Sequence, residues 1–161
     1  MIGSPPRLAE IRLAEGGSAD LDDVMIVMTK AFESGFGEAW TRSQCAGILP
    51  MSGVSLVLAR GSDGAPLGFS LCRAVAGEAE LLLLAVAPAV QRRGIGSRLL
   101  DGFMGRAKVN AATRLHLEVR DGNPAVAMYR AAGFELAGRR RNYYRGSDGS
   151  RFDALTLARD L

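Results

Sequence analysis

The stretch from Leu81 to Leu100 constrains this chain most, because an apolar run there meets a glycine-rich turn and then becomes amphipathic. Leu81 to Val86 has the length and composition of a buried strand, and Pro88 interrupts the run. After Ile95 the apolar residues recur at the three- and four-residue spacing of a helix. They are Leu99, Leu100, Phe103, Met104 and Ala107. The pattern predicts a strand, a turn and a helix that begins within the turn.

The turn itself reads Gln91-Arg-Arg-Gly-Ile-Gly96. The first backbone N–H groups of a helix lack internal partners and carry the positive end of the helix dipole, so glycines there let an anion approach the backbone. A Walker loop would need Gly-Lys-Ser/Thr, and the dinucleotide fingerprint would need a third glycine; both are absent. The turn is therefore a candidate phosphate site of another kind, or a purely structural connection.

The combination of Leu-Ala-Val-x-Pro with Gln-x-x-Gly-x-Gly resembles the acyl-CoA loop of the GCN5-related N-acetyltransferase superfamily. The resemblance implies acetyl-CoA as cosubstrate and no metal. The turn would hold the CoA pyrophosphate, and the preceding strand would splay from its neighbour to offer free N–H groups to the thioester and pantetheine. The pyrophosphate residues would be Arg92, Arg93, Gly94, Ile95, Gly96 and Ser97, and the strand residues Leu84, Ala85 and Val86.

A second, narrower resemblance begins at Leu117-Glu-Val-Arg120 and continues through Asn123, Ala-x-x-x-Tyr, Gly-Phe and Arg-x-Asn-Tyr-Tyr. These motifs are similar to those of bacterial ribosomal-protein-alanine N-acetyltransferases. The resemblance implies Glu118 as general base, acting through water, and Tyr129 as general acid toward sulfur. It also implies that Asn123 bonds the pantetheine arm. The family's Phe-Pro-Trp-Ser is represented here by Gly35-Phe-Gly-Glu-Ala-Trp-Thr41, which affects the acceptor site.

The other candidate acceptor residues carry alternatives. Trp40 is either a wall of the substrate pocket or an anchor for its loop. Tyr143 and Tyr144, by resemblance, lie where an acceptor peptide is held, although their arginine-rich surroundings also suit nucleic acid or a solvated strand edge. Glu80, with Glu78, is a rival base placed near the amine.

The proposed catalytic residues also have structural alternatives. Glu118 could be a surface carboxylate paired with Arg114 or His116, and Tyr129 could be a core side chain. His116, the single histidine, is expected to be a solvated strand residue.

Periodicity predicts the remaining elements. The N-terminal part should contain an edge strand over Arg7 to Leu13, a helix whose apolar face runs from Leu21 to Phe32, and a short helix started by a Thr41–Gln44 capping box. Strands should follow at Ser55 to Arg60, Leu67 to Ala76 and Glu78 to Val86, with the first two forming a hairpin. The C-terminal part should contain a strand at Thr113 to Val119, a helix opened by Asn123-Pro124 and closed by Gly133, and strands at Phe134 to Arg145 and Phe152 to Ala158.

These elements predict one α/β (α+β) domain spanning residues 1–161, with a mixed, mostly antiparallel sheet of about seven strands flanked by about four helices. The 48% hydrophobic and 23% charged content is that of an ordinary globular protein, and the net charge of +3 does not demand nucleic acid. Cys45 and Cys72 have no metal-ligand spacing and should be reduced core thiols. No signal core or membrane span is expected, so the predicted location is the cytoplasm.

The functional hypothesis is N-acetylation of a protein or peptide N-terminus, such as that of a ribosomal protein, by a monomer or weak homodimer that contacts neither nucleic acid nor membrane. Two alternatives stay open: acetylation of a small-molecule amine, and a non-catalytic CoA- or RNA-binding module.

Overall fold

The computed structural model describes residue 4 and residues 7–161, with the backbone alone at Ala9. In that part of the chain a single sheet of seven strands has the order β1-β2-β3-β4-β5-β7-β6. Its strands are β1 (Arg12–Gly16), β2 (Val54–Arg60), β3 (Pro66–Val75), β4 (Glu78–Val86), β5 (Arg114–Arg120), β6 (Glu135–Arg145) and β7 (Arg151–Asp160). The helices are α1 (Leu21–Ala31), α2 (Arg42–Ile48), α3 (Ile95–Val109) and α4 (Ala125–Ala131). The predicted fold class is thereby confirmed.

The centre of the sheet contains its one parallel pair, β4 with β5, while all other neighbours are antiparallel. The two strands pair only from Glu78 opposite Arg114 to Leu81 opposite Leu117. At this point the register of β4 against β3 also shifts, between Leu71 and Cys72. Beyond Leu81 the strands therefore separate and leave a gap in the sheet.

Helices cover both faces of the sheet. Helix α1 presents Val24, Val27 and Met28 to a core that includes Phe69 and Leu71 of β3. On the opposite face, Leu100 and Phe103 of α3 pack with residues of β5 and with Tyr129 of α4. Because α3 must follow the turn directly, burial of its apolar stripe fixes the turn at the edge of the gap.

The predicted boundaries hold closely except at the N-terminal edge. There the predicted strand over 7–13 is wrong in its first half, where the chain forms a 3₁₀ turn at Leu8–Glu10 and β1 begins at Arg12. The Glu10 carboxylate accepts from the Arg7 N–H at 3.2 Å, and this local bond competes with an extended backbone. At its other end β1 continues beyond Leu13 to Gly16, which is paired with Leu56.

Several finer predictions are confirmed. The Thr41 hydroxyl accepts from the Gln44 N–H at 3.1 Å, while the Gln44 side chain accepts from the Thr41 N–H at 2.8 Å. Gly133 adopts a left-handed φ of 91° at the end of α4. Cys45 and Cys72 are buried free thiols, and burial raises the pKa of each.

Of the helices in residues 7–161, none has both the length and the apolar character needed to cross a membrane.

Candidate active site

A cleft of about 870 Å³ opens where β4 and β5 separate. One wall is the end of β4 with the following turn and the start of α3, and the opposite wall is the end of β5 with α4. Residues between α1 and α2, including Glu38 and Trp40, complete the lining together with Tyr143 and Tyr144 of β6. Most residues predicted from the sequence line this cleft: Trp40, Glu80, Leu84, Ala85, Val86, Arg92, Gly94, Ile95, Gly96, Ser97, Glu118, Asn123, Tyr129, Tyr143 and Tyr144. Arg93 is exposed and lies outside the lining.

The turn before α3 has the backbone of an anion site. Arg92 and Gly94 take left-handed φ angles of 61° and 85°, which rotate neighbouring amides toward one side. The Gln91 side chain donates to the Val86 carbonyl at 2.9 Å and ties the turn to the end of β4. In the described part of the chain the N–H groups from Arg92 to Ser97 have no protein acceptor. These amides, at the positive end of a helix of 15 residues, can bind a phosphate.

Gly96 is closely surrounded beside this turn. A Cβ atom there would lie 3.3 Å from the Met128 Sδ and 3.7 Å from side-chain atoms of Leu84 and Val86. Even a Cβ atom would therefore press against α4 and touch the end of β4, so the close approach of these elements to the start of α3 favours glycine at this position.

The end of β4 is paired on one side only. Leu84, Ala85 and Val86 lie opposite Ser70, Phe69 and Gly68 of β3, whereas the pairing with β5 has already stopped at Leu81. The other edge of β4 therefore faces the cleft with no strand beside it. Such an edge offers backbone groups to an extended ligand.

Glu118 lies across the cleft on β5, with 18% of its side chain exposed. Its Oε1 atom forms an ion pair with the Nε of Arg140 on β6 at 2.5 Å. The partners considered from the sequence are engaged elsewhere, because Arg114 pairs with Asp160 and His116 lies between Glu78 and Glu80. Glu118 is thus a half-buried carboxylate that faces the cleft.

Tyr129 is buried between the cleft and the core, and its ring meets Phe134 edge-on with centroids 6.1 Å apart. Burial, followed by the negative charge of Glu38, raises the pKa of its hydroxyl well above the usual value. The phenol therefore keeps its proton throughout the neutral range. Tyr129 therefore packs in the core and also lines the cleft, the two positions that the sequence left as alternatives.

Glu80 is the rival carboxylate in the lining of the cleft. It lies on the paired part of β4, opposite His116, whose Nδ1 is 4.0 Å from its Oε1. The Nε2 of the same imidazole is 3.8 Å from Glu78. The predicted solvated histidine is therefore only 28% exposed and flanked by two carboxylates.

Tyr143 and Tyr144 reach the cleft through an irregularity in β6. Arg140 is opposite Ala154 and Tyr144 is opposite Phe152, so β6 advances four residues while β7 advances two. Asn142 accommodates this bulge with a left-handed φ of 53°, and its N–H donates to Asp153 at 3.0 Å. The two tyrosine rings then meet edge-on at 5.0 Å. Burial, then the charges of Glu38 and Glu118, raise the pKa of Tyr144.

A buried carboxylate that the sequence interpretation missed also lies in the cleft. Glu38 is 9% exposed, and its Oε1 accepts from the Asn123 amide at 2.8 Å. The same oxygen is 3.2 Å from the Nε of Arg120, within ion-pair distance but outside hydrogen-bond geometry. The Arg120 guanidinium carbon lies 3.7 Å from the centre of the Phe36 ring. This network joins the segment before α2 to the end of β5.

Asn123 is bound at both ends of its side chain. Its Oδ1 accepts from the Ala125 N–H at 2.8 Å, which starts α4 as expected, while its Nδ2 donates to Glu38. One Nδ2 hydrogen remains for a ligand.

Comparison with known proteins decides the family. The family model described as "Acetyltransferase (GNAT) family" matches residues 21–134, which is more than half of the chain. The chain belongs to the GNAT acetyltransferase family. In this GNAT chain the matched region runs from the first residue of α1 to Phe134, just beyond α4, and so includes the turn and Glu118.

Similar bacterial proteins are described as N-acetyltransferases. The [ribosomal protein bS18]-alanine N-acetyltransferase of Escherichia coli K12 is 39% identical over 97 residues, which cover 60% of this chain and 65% of that protein. The protein with the same description from Haemophilus ducreyi is 32% identical over 136 residues, covering 78% and 94%. The match thus spans about two thirds of the E. coli relative's length.

Solved structures share the whole fold. The ribosomal-protein-S18-alanine N-acetyltransferase from E. coli superposes with a TM-score of 0.82 at 28% identity, covering 94% of both chains. Ard1 from Thermoplasma volcanium gives 0.80 at 26% identity, covering 94% of this chain and 98% of that one. Arabidopsis thaliana NAA60, in a structure with acetyl-CoA, gives 0.81 at 16% identity, covering 94% and 98%, and shares the fold.

Proposed function

We propose that this GNAT is an acetyl-CoA-dependent N-acetyltransferase that modifies the α-amino group of a protein N-terminus. The observation that carries the proposal is the position of the gap in the sheet. A turn with free amide groups stands on one side of it, and a carboxylate and a protonated phenol line the same cleft.

The residues present fit acetyl-CoA. The free amides from Arg92 to Ser97 suit a pyrophosphate, and the single-sided edge of β4 at Leu84 to Val86 suits the amide-containing pantetheine arm. Arg92 adds a positive charge to the lining. When bound, acetyl-CoA supplies an acetyl group as a thioester, whose carbonyl carbon the acceptor nitrogen attacks and whose C–S bond then breaks.

The chain's own groups then move two protons. Glu118, as general base, takes a proton from the acceptor amine, directly or through a water. Tyr129, as general acid, gives its proton to the departing sulfur, and burial keeps that proton in place until it is needed. Both groups line one cleft, and in the proposed mechanism the acetyl group passes directly from sulfur to the amine.

A protein N-terminus is the proposed acceptor because the relatives are named for that reaction. Trp40, Tyr143 and Tyr144 line the cleft and would hold the first residues of the peptide. A ribosomal-protein acceptor would place the reaction in the cytoplasm, where ribosomal proteins are made.

A panel of N-terminal peptides, followed by CoA thiol release and mass spectrometry, tests this function. A peptide with a free N-terminal alanine and an internal lysine should gain one acetyl group, on the α-amine. The same peptide with a chemically blocked N-terminus is the matched control and should remain unmodified. Acetyl groups found only on lysine, or only on small amines, would contradict the proposal.

A further inference from the structure

We propose that Arg140 is a positioning residue that holds Glu118 in its working orientation. This inference rests on the proposed function, since it assigns a partner to the proposed base. It concerns the side chain that reaches Glu118 from the outermost strand of the sheet.

Arg140 reaches Glu118 across an intervening strand. Glu118 of β5 is opposite Thr156 of β7, which is opposite Gly138 of β6, while Arg140 lies one pair further along, opposite Ala154. Two strand spacings separate β5 from β6, or roughly 10 Å. A long side chain can span this distance because the residues beneath it are small, and Gly138 has no side chain to obstruct the diagonal path.

The contact is made through one carboxylate oxygen, since the Arg140 Nε lies 2.5 Å from Oε1. Within the described part of the chain no protein group donates a hydrogen bond to Oε2. Arg140 thus holds the carboxylate through Oε1, and Oε2 is available to accept a proton. This is the arrangement in which a third group orients a catalytic base.

The pair is poorly suited to a purely stabilising role. The Arg140 side chain is 62% exposed, and exposed ion pairs contribute little to folding because solvent screens them. The effect of the same contact on the reaction rate can be much larger, because small displacements of a reacting group can reduce a rate by roughly a hundredfold.

Arg140 has a second contact that offers a rival explanation. Its guanidinium carbon lies 5.5 Å from the centre of the Tyr143 ring, and Tyr143 packs against Tyr144. If Arg140 acted mainly through these tyrosines, its loss would weaken acceptor binding. If it acts through Glu118, its loss should lower turnover.

The first test is steady-state kinetics of Arg140→Ala with a free N-terminal peptide. We expect kcat to fall roughly ten- to a hundredfold, with acetyl-CoA affinity unchanged and acceptor KM altered less than kcat. Arg141→Ala, which removes the same charge one residue along the strand, is the matched control and should keep near-normal kcat. Arg140→Lys, or guanidinium ions added to Arg140→Ala, should restore part of the rate. A normal kcat with a raised KM would overturn the proposal.

The second test repeats Arg140→Ala in a Glu118→Gln background. If Arg140 acts through the carboxylate, its loss should then have no further effect on kcat, because the group that it orients is already inactive. An equal loss in both backgrounds would overturn the proposal. If Glu118→Gln is impaired while Arg140→Ala is normal, only the positioning role fails. Normal turnover in both variants would overturn the base assignment, and the positioning role with it.

Discussion

Loss of one partner of the Glu38–Arg120 ion pair should be strongly destabilising, since both side chains are only 9% exposed. Glu38→Gln keeps the size of the side chain and an oxygen for the Asn123 amide, but it removes the charge beside Arg120. An arginine left in a buried site without its counter-ion is costly, because its desolvation is no longer offset.

The expected cost follows from the contacts that remain. Removal of one partner from a buried pair costs about 3–5 kcal/mol. Arg120 would keep the face of Phe36 at 3.7 Å and the carbonyl of Asp121 at 3.3 Å, so the lower end applies. We therefore expect a loss of about 3 kcal/mol, equivalent to a fall in Tm of roughly 6–12 °C for a domain of this size.

Urea denaturation of four proteins measures the effect: wild type, Glu38→Gln, Arg120→Met and the double variant. The double variant should be less destabilised than the sum of the single variants by about 1–3 kcal/mol, because it leaves no unpaired charge. Asp160→Asn, which breaks the exposed pair with Arg114, is the control and should cost less than about 1 kcal/mol. A loss below about 1 kcal/mol for Glu38→Gln, or strict additivity, would refute the reasoning.

Two further predictions concern the tyrosines and the turn. Burial, and then the charge of Glu38, raises the pKa of Tyr129 in the folded protein, so the unfolded chain releases this proton first as the pH rises above about 10. The free energy of unfolding should therefore fall above that pH, and it should fall less steeply in Tyr129→Phe. Equal slopes for the two proteins in alkaline melts would argue against this prediction. Gly96→Glu should weaken acetyl-CoA binding at least tenfold by calorimetry, since it adds bulk and negative charge beside the amides. Gly105→Glu, in open space on the same helix, should bind normally, and tight binding by folded Gly96→Glu would show that the turn is wrongly assigned.

Local patterns predicted most of the fold. Alternation in Thr113 to Val119 matched β5 because Leu115, Leu117 and Val119 are buried in the core. The Thr41–Gln44 capping box is a contact between neighbours in sequence, so its residues alone suffice to predict it. The strand–turn–helix unit could be predicted equally well, because the spacing of its apolar residues changes from a continuous run to a helical pattern within a few positions.

Contacts between segments that are distant in sequence could not be predicted in the same way. The partner of Glu118 is 22 residues away, and the contact depends on small residues in β7 and on the register of β6. Glu38 lies in an irregular segment, where no periodicity marks a side chain as buried. The sequence offered two signals, the charged Glu38 two residues after Phe36 and Arg120 at the end of a buried strand. Only the fold shows that these two side chains form a pair.

The pH dependence of kcat, measured for Glu118→Gln beside Glu80→Gln, both at matched stability, tests the proposed role of Glu118 as general base. Glu118→Gln should lose roughly a hundred- to ten-thousandfold in kcat at neutral pH with nearly unchanged acetyl-CoA affinity. Its rate should recover as rising pH deprotonates the amine in solvent. Glu80→Gln should act mainly on acceptor KM. Near-normal turnover of Glu118→Gln at neutral pH, together with loss of turnover in Glu80→Gln, would contradict the account.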